Sequence, residues 1–242
     1  VETVLLPSKC GLGGDLVAIS VTRGADPEAL LAIGGAPAGL AAVAASGTWR
    51  DVGPHSVGPP AAPTGYVALA RRGNLPLGRL AARAVELAET GFAWAAVNER
   101  LSHMAAALVA EMQPDGCCYY PGGSPIPTGS IVTLPGLAAA IRELVERGDA
   151  FLDGPIGEAI VEAVQSRGGV LTCDDFAFAR AVWSPCAAGR AGHLAAWATP
   201  VPTHGPSLLE ASAAIASGAP QADVYRATLA AIESRRATLA DP

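Results

Sequence analysis

Apolar residues come along this chain in short runs and helical stripes, cut at regular intervals by glycine and proline. The run at residues 16–21 predicts a buried strand, fed directly by the turn Pro7-Ser8-Lys9-Cys10-Gly11-Leu12-Gly13-Gly14-Asp15. A second run at 29–33 follows Arg23-Gly24-Ala25-Asp26-Pro27 and reads as its hairpin partner. Leu80, Ala84, Leu87 and Ala88 recur at i, i+4, i+7 and i+8, a helix opened by Gly73-Asn74-Leu75-Pro76 and stopped by Gly91. An alanine-rich helix is predicted over 95–113. Leu137, Ile141, Leu144 and Val145 mark the next one, ended by Gly148. Asp153-Gly154-Pro155 starts another, with proline suited to the first turn and Ile156, Ile160 and Val164 supplying its buried face up to Gly168-Gly169.

Further on, Thr172-Cys173-Asp174-Asp175 has the pattern of a capping box before a short helix. Residues 182–187 and 193–198 read as two strands joined through the glycines at 189–192, and helices follow at 207–217 and 222–236, the second with Tyr225, Leu229 and Ile232 on one face. Three stretches are irregular: 53–63, 114–129 and 200–206. In the first, four prolines rule out helix and central strand and imply an extended approach to Thr64-Gly65-Tyr66. Few strands and many helices in mixed order predict an α+β fold, with helices covering a small sheet and residues 1–242 forming a single domain.

Composition narrows the function classes. Half of the 242 residues are hydrophobic, much of that alanine, and mean hydropathy is +0.34. No run approaches the roughly 20 apolar residues that a bilayer span needs. A net charge of -6, with no basic cluster beyond Arg71-Arg72 and Arg235-Arg236, argues against nucleic acid as a partner. The five cysteines (Cys10, Cys117, Cys118, Cys173, Cys186) form no CxxC pair, and adjacent Cys117-Cys118 are poorly placed to bridge each other, so reduced thiols in a cytoplasmic protein are expected. His55, His103 and His193 lack HxxxH or HxxE spacing; they are assigned to structure, and neither a metal nor another cofactor is predicted. The glycine turn is no phosphate cradle, because it lacks Lys-Ser/Thr and precedes a strand where a dinucleotide fingerprint follows one. Val1-Glu2-Thr3-Val4 carries neither a basic leader nor an initiator Met, and it reads as a chain that begins inside a fold.

The order of motifs adds what single motifs do not. Gly11-Leu12-Gly13-Gly14, Ala36-Pro37-Ala38, His55-Ser56-Val57 and Gly73-Asn74-Leu75-Pro76 are followed by the stretch from Ala84 to Phe92 and by Pro135-Gly136-Leu137-Ala138. After these come Gly148-Asp149-Ala150-Phe151, the stretch from Gly154 to Val161, Gly168-Gly169-Val170-Leu171-Thr172 with Asp175-Phe176, and Pro202-Thr203-His204-Gly205-Pro206. Collinear from Val1 to about Leu209, these landmarks resemble the large chain of the gamma-glutamyltranspeptidases, a family of N-terminal-nucleophile (Ntn) hydrolases.

The resemblance implies an αββα sandwich completed by a second chain of the same precursor, which cuts itself and exposes an N-terminal Thr or Ser as nucleophile. The oxyanion-stabilising glycines would lie in that second chain too. This chain then contributes no catalytic residue: Val1 has no side-chain nucleophile, and the sequence stops at Asp241-Pro242, short of the family's cleavage point. Transpeptidases of the family carry an Arg-Glu pair just before Ala-Pro, and the arginine clamps the substrate α-carboxylate. Here Ile33 and Gly34 occupy those positions, with Gly35 next to them. Ile33, Gly34 and Gly35 are candidate substrate-binding positions, and their loss of charge implies either a clamp supplied elsewhere on a γ-glutamyl hydrolase or transpeptidase or, the reading favoured here, a small molecule that is not a γ-glutamyl compound. Divergent relatives include β-lactam side-chain acylases, amidohydrolases of small acids, and homologues in actinobacterial 4-alkylproline antibiotic pathways that hydrolyse a carbon-carbon bond and release an oxalyl fragment. An Ala/Gly/Arg-rich, Lys-poor chain fits a high-GC source of that kind.

Two further candidates have two readings each. Lys9 is either a cation for an acidic substrate or a surface lysine in a turn. His204, in a proline-rich loop, either lines a cleft or has no role. Tyr119 and Tyr120 fit a lid or plain packing, and Cys10 is read as a small buried residue. A non-catalytic structural homologue is the reading from another class.

Overall fold

Glycine and proline end and begin the helices where the local rules place them. The computed structural model describes residues 1–114 and 116–240, with side chains in the last helix as far as Ser234. The elements in order are α1 (Glu2–Leu5), β1 (Leu16–Ser20), β2 (Glu28–Ala32), α2 (Leu40–Ala45), α3 (Ala62–Arg72), α4 (Leu77–Thr90), β3 (Phe92–Ala93) and α5 (Ala96–Met112). Then come β4 (Ile131–Val132), α6 (Pro135–Arg147), α7 (Pro155–Gln165), β5 (Ala181–Pro185), β6 (Ala187–Ala191), β7 (Leu194–Ala198), α8 (Gly205–Ala216) and α9 (Gln221–Ala240). Gly91 ends α4 at φ +96°, a conformation that costs a side-chain-bearing residue energy, and its N–H closes on the Leu87 carbonyl at 3.0 Å. The fold class is α+β.

The chain divides into two units. The first comprises Val1–Asp15 and Ile33–Arg180. Its core gathers Val4, Ala84, Ala88, Phe92, Trp94, Ile126, Val132, Leu134, Ala138 and Ile141, with α4 packed on α6. The small alanines of α4 let the two helices approach, while Leu80, assigned to that face by periodicity, is half exposed. Tyr119 stacks on Trp94 with ring centroids 6.1 Å apart, and buried Tyr120 donates its hydroxyl to the Ser102 carbonyl at 2.9 Å, so both tyrosines pack. Asn98, fully buried, accepts from Ser8 Oγ at 2.7 Å and donates to the Leu5 carbonyl at 2.8 Å, which fixes the segment after α1.

The capping box at Thr172 is present. Asp175 accepts from both the Thr172 N–H at 2.8 Å and its hydroxyl at 2.9 Å, ahead of a 3₁₀ turn at Cys173–Phe178. Its other oxygen accepts from the Ala38 N–H at 2.8 Å, tying the loop before α2 to a segment 137 residues away. The proline-rich stretch differs from its sequence reading. A 3₁₀ turn occupies Pro54–Ser56, and the extended path ends sooner than Thr64, because α3 begins at Ala62 with Pro63 in its first turn, where no N–H is required.

The second unit comprises Leu16–Ala32 and Ala181–Pro242. β1 pairs antiparallel with β2 in the register Leu16↔Ala32 to Ser20↔Glu28, as the hairpin reading expects. The strand at 182–187 pairs elsewhere than expected: β5 adds to β2 (Leu31↔Val182), giving the order β1-β2-β5, and the partner of β7 is β6. The stretch expected to be a glycine connection is itself the strand Ala187–Ala191. It lacks β-branched residues, and it is held by its pairing with β7 from Ala187↔Ala198 to Ala191↔Leu194 and by its contact with α8, where Gly189 faces Leu209. Tyr225 and Leu229 of α9 are exposed, Ile232 is half-buried, and among the described side chains of that helix the buried one is Ala231, whose carbonyl accepts from Ser207 Oγ. The Arg235-Arg236 side chains and Asp241-Pro242 lie outside the described residues. Among the described residues, no helix is long and apolar enough to cross a membrane, and all five cysteines are free.

Candidate functional site

Asp15 closes the glycine turn, and Gly34 follows the end of the hairpin. The Gly34 N–H donates to Asp15 Oδ1 at 2.8 Å, which holds the two loops together. A third loop lies against them. A Cβ on Gly34 would sit 1.9 Å from the Pro59 carbonyl oxygen, and one on Gly58 would sit 3.0 Å from the Gly35 carbonyl oxygen. Backbone therefore packs on backbone, and residue 34 must be glycine for steric reasons, whatever else happens there.

Together these loops line an open, solvent-facing pocket of about 410 Å³ formed by Gly13, Gly14, Asp15, Gly34, Gly35, Ala36, Pro37, Leu40, Trp49 and residues 55–59, with Asp15 exposed. Its polar inventory is short. The Trp49 indole N–H is committed to Asp51 at 3.0 Å, and the Ser56 hydroxyl to the Gly53 carbonyl at 2.8 Å. His55 Nε2 lies 3.1 Å from the Gly168 carbonyl oxygen. A carbonyl only accepts, so Nε2 carries the hydrogen and Nδ1 of the neutral ring keeps its lone pair. Among the described residues, the Asp15 carboxylate is the one fixed charge on the wall, and neither lysine nor arginine lines it. Two arginines line a neighbouring cavity that shares His55, but they are engaged there: Arg50 with Glu111 at 3.4 Å, and Arg167 through Nε with the Met112 carbonyl at 3.1 Å.

Of the candidates read from the sequence, the structure brings Gly34 and Gly35 together on this wall. Ile33 is half-buried one residue away and does not line the cavity. Lys9 is exposed in the turn after α1 and is not among the lining residues. His204 belongs to the second unit, where it sits exposed at the start of α8; the Gly205 N–H there is taken by Thr203 Oγ1 at 3.1 Å. Asp15 and His55 were not picked out by sequence reasoning. The signal for Asp15 was a carboxylate ending a glycine turn. His55, 20 residues past Gly35, stood in the landmark His55-Ser56-Val57 and was assigned to structure, with nothing local tying it to this wall.

Tyr119 is no candidate for proton transfer at neutral pH: burial, then the neighbouring Cys118 and Cys117, push its phenol up to about 12.

The chain has relatives of known kind. The gamma-glutamyltranspeptidase family model matches residues 1–233. The glutathione hydrolase proenzyme of Escherichia coli (strain K12) is 30% identical over 131 residues, covering 52% of this chain and 22% of that protein, so the match spans about a fifth of the relative's length. Among solved structures, the Bacillus anthracis transpeptidase CapD superposes with a TM-score of 0.80 at 18% identity, over 100% of this chain and 82% of that one. Cephalosporin acylase from Bacillus halodurans gives 0.79 at 28% identity, over 87% and 42%. A family model that runs through both units, together with a fold shared along the whole chain, leads to one conclusion: this chain belongs to the gamma-glutamyltranspeptidase family.

Proposed function

We propose that this is the non-nucleophilic chain of an autoprocessed two-chain Ntn hydrolase that acts on a small molecule other than a γ-glutamyl compound. The observation that carries the substrate reading is the Gly34–Gly35 cavity. Among the described residues its wall has no cation and one fixed charge, a carboxylate, and packing against the Pro59 carbonyl excludes a side chain at residue 34. A substrate carboxylate placed there would face the Asp15 carboxylate and meet no cationic side chain among the described residues.

A second chain is supported by apolar surface on the sheet of the second unit, where Val17, Ile19 and Val182 are 43–55% exposed. Its N-terminal Thr has the means of self-activation, since an α-amine with a pKa of about 8 serves as base for the hydroxyl beside it. The bond we assign is a carbon-carbon bond next to an oxalyl carbonyl, in secondary metabolism. The hydroxyl adds to that carbonyl, the C–C bond breaks with its electron pair leaving to a stabilised enamine carbon that takes up a proton, and water hydrolyses the remaining oxalyl ester. The oxyanion needs the same donors as in amide hydrolysis, and these belong to the second chain, as does any group that binds the oxalyl carboxylate. Five unbridged cysteines support a cytoplasmic setting.

A second reading, amide hydrolysis by an acylase, is favoured by the 28% identity to a cephalosporin acylase. Turnover by the full two-chain enzyme separates the readings. We expect hydrolysis of an oxalyl-substituted enamine substrate at a kcat/KM at least about 100-fold above that for γ-glutamyl-p-nitroanilide, the order lost with an uncompensated buried carboxylate. Preferred hydrolysis of the γ-glutamyl anilide would overturn the substrate reading, and preferred hydrolysis of a non-glutamyl amide would establish the acylase.

A further inference from the structure

We propose that Cys117 and Cys118 form a two-thiol site for a soft metal or metalloid centre of low coordination number. The inference is independent of the hydrolase reading and starts from the turn that carries the two residues. The Tyr120 N–H donates to the Cys117 carbonyl at 2.8 Å and closes an isolated antiparallel bridge, with Cys118 and Tyr119 between the two bridged residues. Successive side chains of a strand point to opposite faces, and a turn breaks that alternation. Here both thiols line one open pocket beside the C-terminal half of α5. They also sense each other: the Cys118 thiol is pushed up first by burial, then by the charge of the Cys117 sulfur beside it and a hydrogen bond to it. The turn is held from behind. Tyr119 stacks on Trp94, and the buried Tyr120 hydroxyl donates to the Ser102 carbonyl at 2.9 Å, so the two sulfurs are preorganised as a pair.

Geometry then sets the class of ligand. The peptide between the two cysteines is trans, so their Cα atoms stand about 3.8 Å apart, short of the ~4.4–6.8 Å that an unstrained disulfide spans. A bridging centre puts two sulfur bonds of about 2.3 Å each in place of one S–S bond of about 2 Å, which relaxes that constraint. Among the described residues the pocket wall carries neither carboxylate nor imidazole, so it matches neither a four-donor zinc site nor an oxygen-seeking cation, and thiol sulfur selects soft centres. Ala106, Val109 and Ala110 of α5 supply an apolar flank for an organic substituent on such a centre. Once one sulfur is bound, the second is held at high effective concentration. Cys10, Cys173 and Cys186 have no adjacent cysteine and lack that gain.

The probe is phenylarsine oxide, a trivalent arsenical. Its arsenic-oxygen bonds break, two thiols give their protons to that oxygen, two As–S bonds form and one water leaves, with arsenic staying trivalent. The purified, reduced full-length gene product, cleaved or not, is equilibrated with the probe in excess mercaptoethanol, and the adduct is read by intact mass and peptide mapping of this chain. The expected result is one adduct per chain, on the peptide that holds Cys117 and Cys118, released by dimercaptopropanol. Cys117→Ser and Cys118→Ser each weaken capture at least about 100-fold, the gain of the second sulfur being lost, while Cys10→Ser and Cys173→Ser leave it unchanged. No adduct, an adduct mapped to other cysteines, or capture undiminished in either Cys117→Ser or Cys118→Ser would overturn the proposal. The mapping on the unaltered protein decides the location whether or not the variants fold.

Discussion

Gly34→Ala should destabilise the protein by about 2–3 kcal/mol, while Gly35→Ala next to it should change stability by less than about 0.5 kcal/mol. The two glycines are adjacent in sequence and line the same cavity, but they meet different surroundings. At residue 34 the added carbon would lie 1.9 Å from the Pro59 carbonyl oxygen and 3.1 Å from its carbon, and backbone cannot yield as the end of a flexible side chain does. At residue 35 nothing lies within 4 Å. Neither glycine has a left-handed φ, so the contrast measures packing and not backbone conformation. Urea unfolding of the two variants checks it. Equal effects would mean that the loops of residues 34–37 and 57–59 are not in contact. Gly34→Glu should meet the same clash and displace the loop.

The second large effect is expected at Asp175. This carboxylate is nearly fully buried, and burial alone would raise its pKa. The N–H groups of Ala38 and Thr172 and the Thr172 hydroxyl together outweigh that cost and hold it below the ordinary carboxylate value. The unfolded chain titrates near ~3.9. Because the folded pKa is the lower one, the stabilisation is fully present above the unfolded value and is lost as pH falls through the folded one. Asp175→Asn puts an amide N–H opposite backbone donors, and it should cost about 2–3 kcal/mol at neutral pH. The gap between wild type and variant should narrow as the pH drops below about 4, once the wild-type carboxylate takes up its proton. A pH series of unfolding curves for both proteins gives the comparison, and a gap that stays constant into acid would mean that the charge of Asp175 is not what the two N–H groups bind. Since the Ala38 bond anchors the loop carrying Ala36 and Pro37, activity should fall with stability in this variant.

How much was legible in advance depends on whether the determining contacts are local. Gly91, Gly148 and Pro155 end and begin helices through their own φ or missing N–H, and the capping box at Thr172 is four residues long; each reads from sequence because its cause lies within one turn. β6 does not, because an Ala/Gly/Arg strand is held by its pairing with β7 and its contact with α8, both made only in the folded chain. β3 and β4 pair over two residues each, fixed by long-range bonds such as Leu134 N–H to the Ala88 carbonyl at 2.7 Å. The start of α3 at Ala62 likewise follows from burial of Ala61, Ala62 and Pro63, which proline counting alone reads as extended chain. At the site, the family pattern drew attention to Ile33, Gly34 and Gly35, and the structure places the two glycines on the cavity. Asp15 and His55 reach the same wall from two other loops, and their meeting is a property of the folded chain that no spacing records. His55, set aside as structural for want of a metal-ligand spacing, does have a structural bond to Gly168 and also lines the pocket.

The central claim is that this chain works beside a second one, which begins with the nucleophile. Intact mass spectrometry of the purified full-length gene product, with N-terminal sequencing of every chain present, tests it most directly. The account predicts two chains, the second beginning with Thr or Ser. One uncleaved chain, or a second chain beginning with any other residue, would contradict it and leave a binding or structural protein.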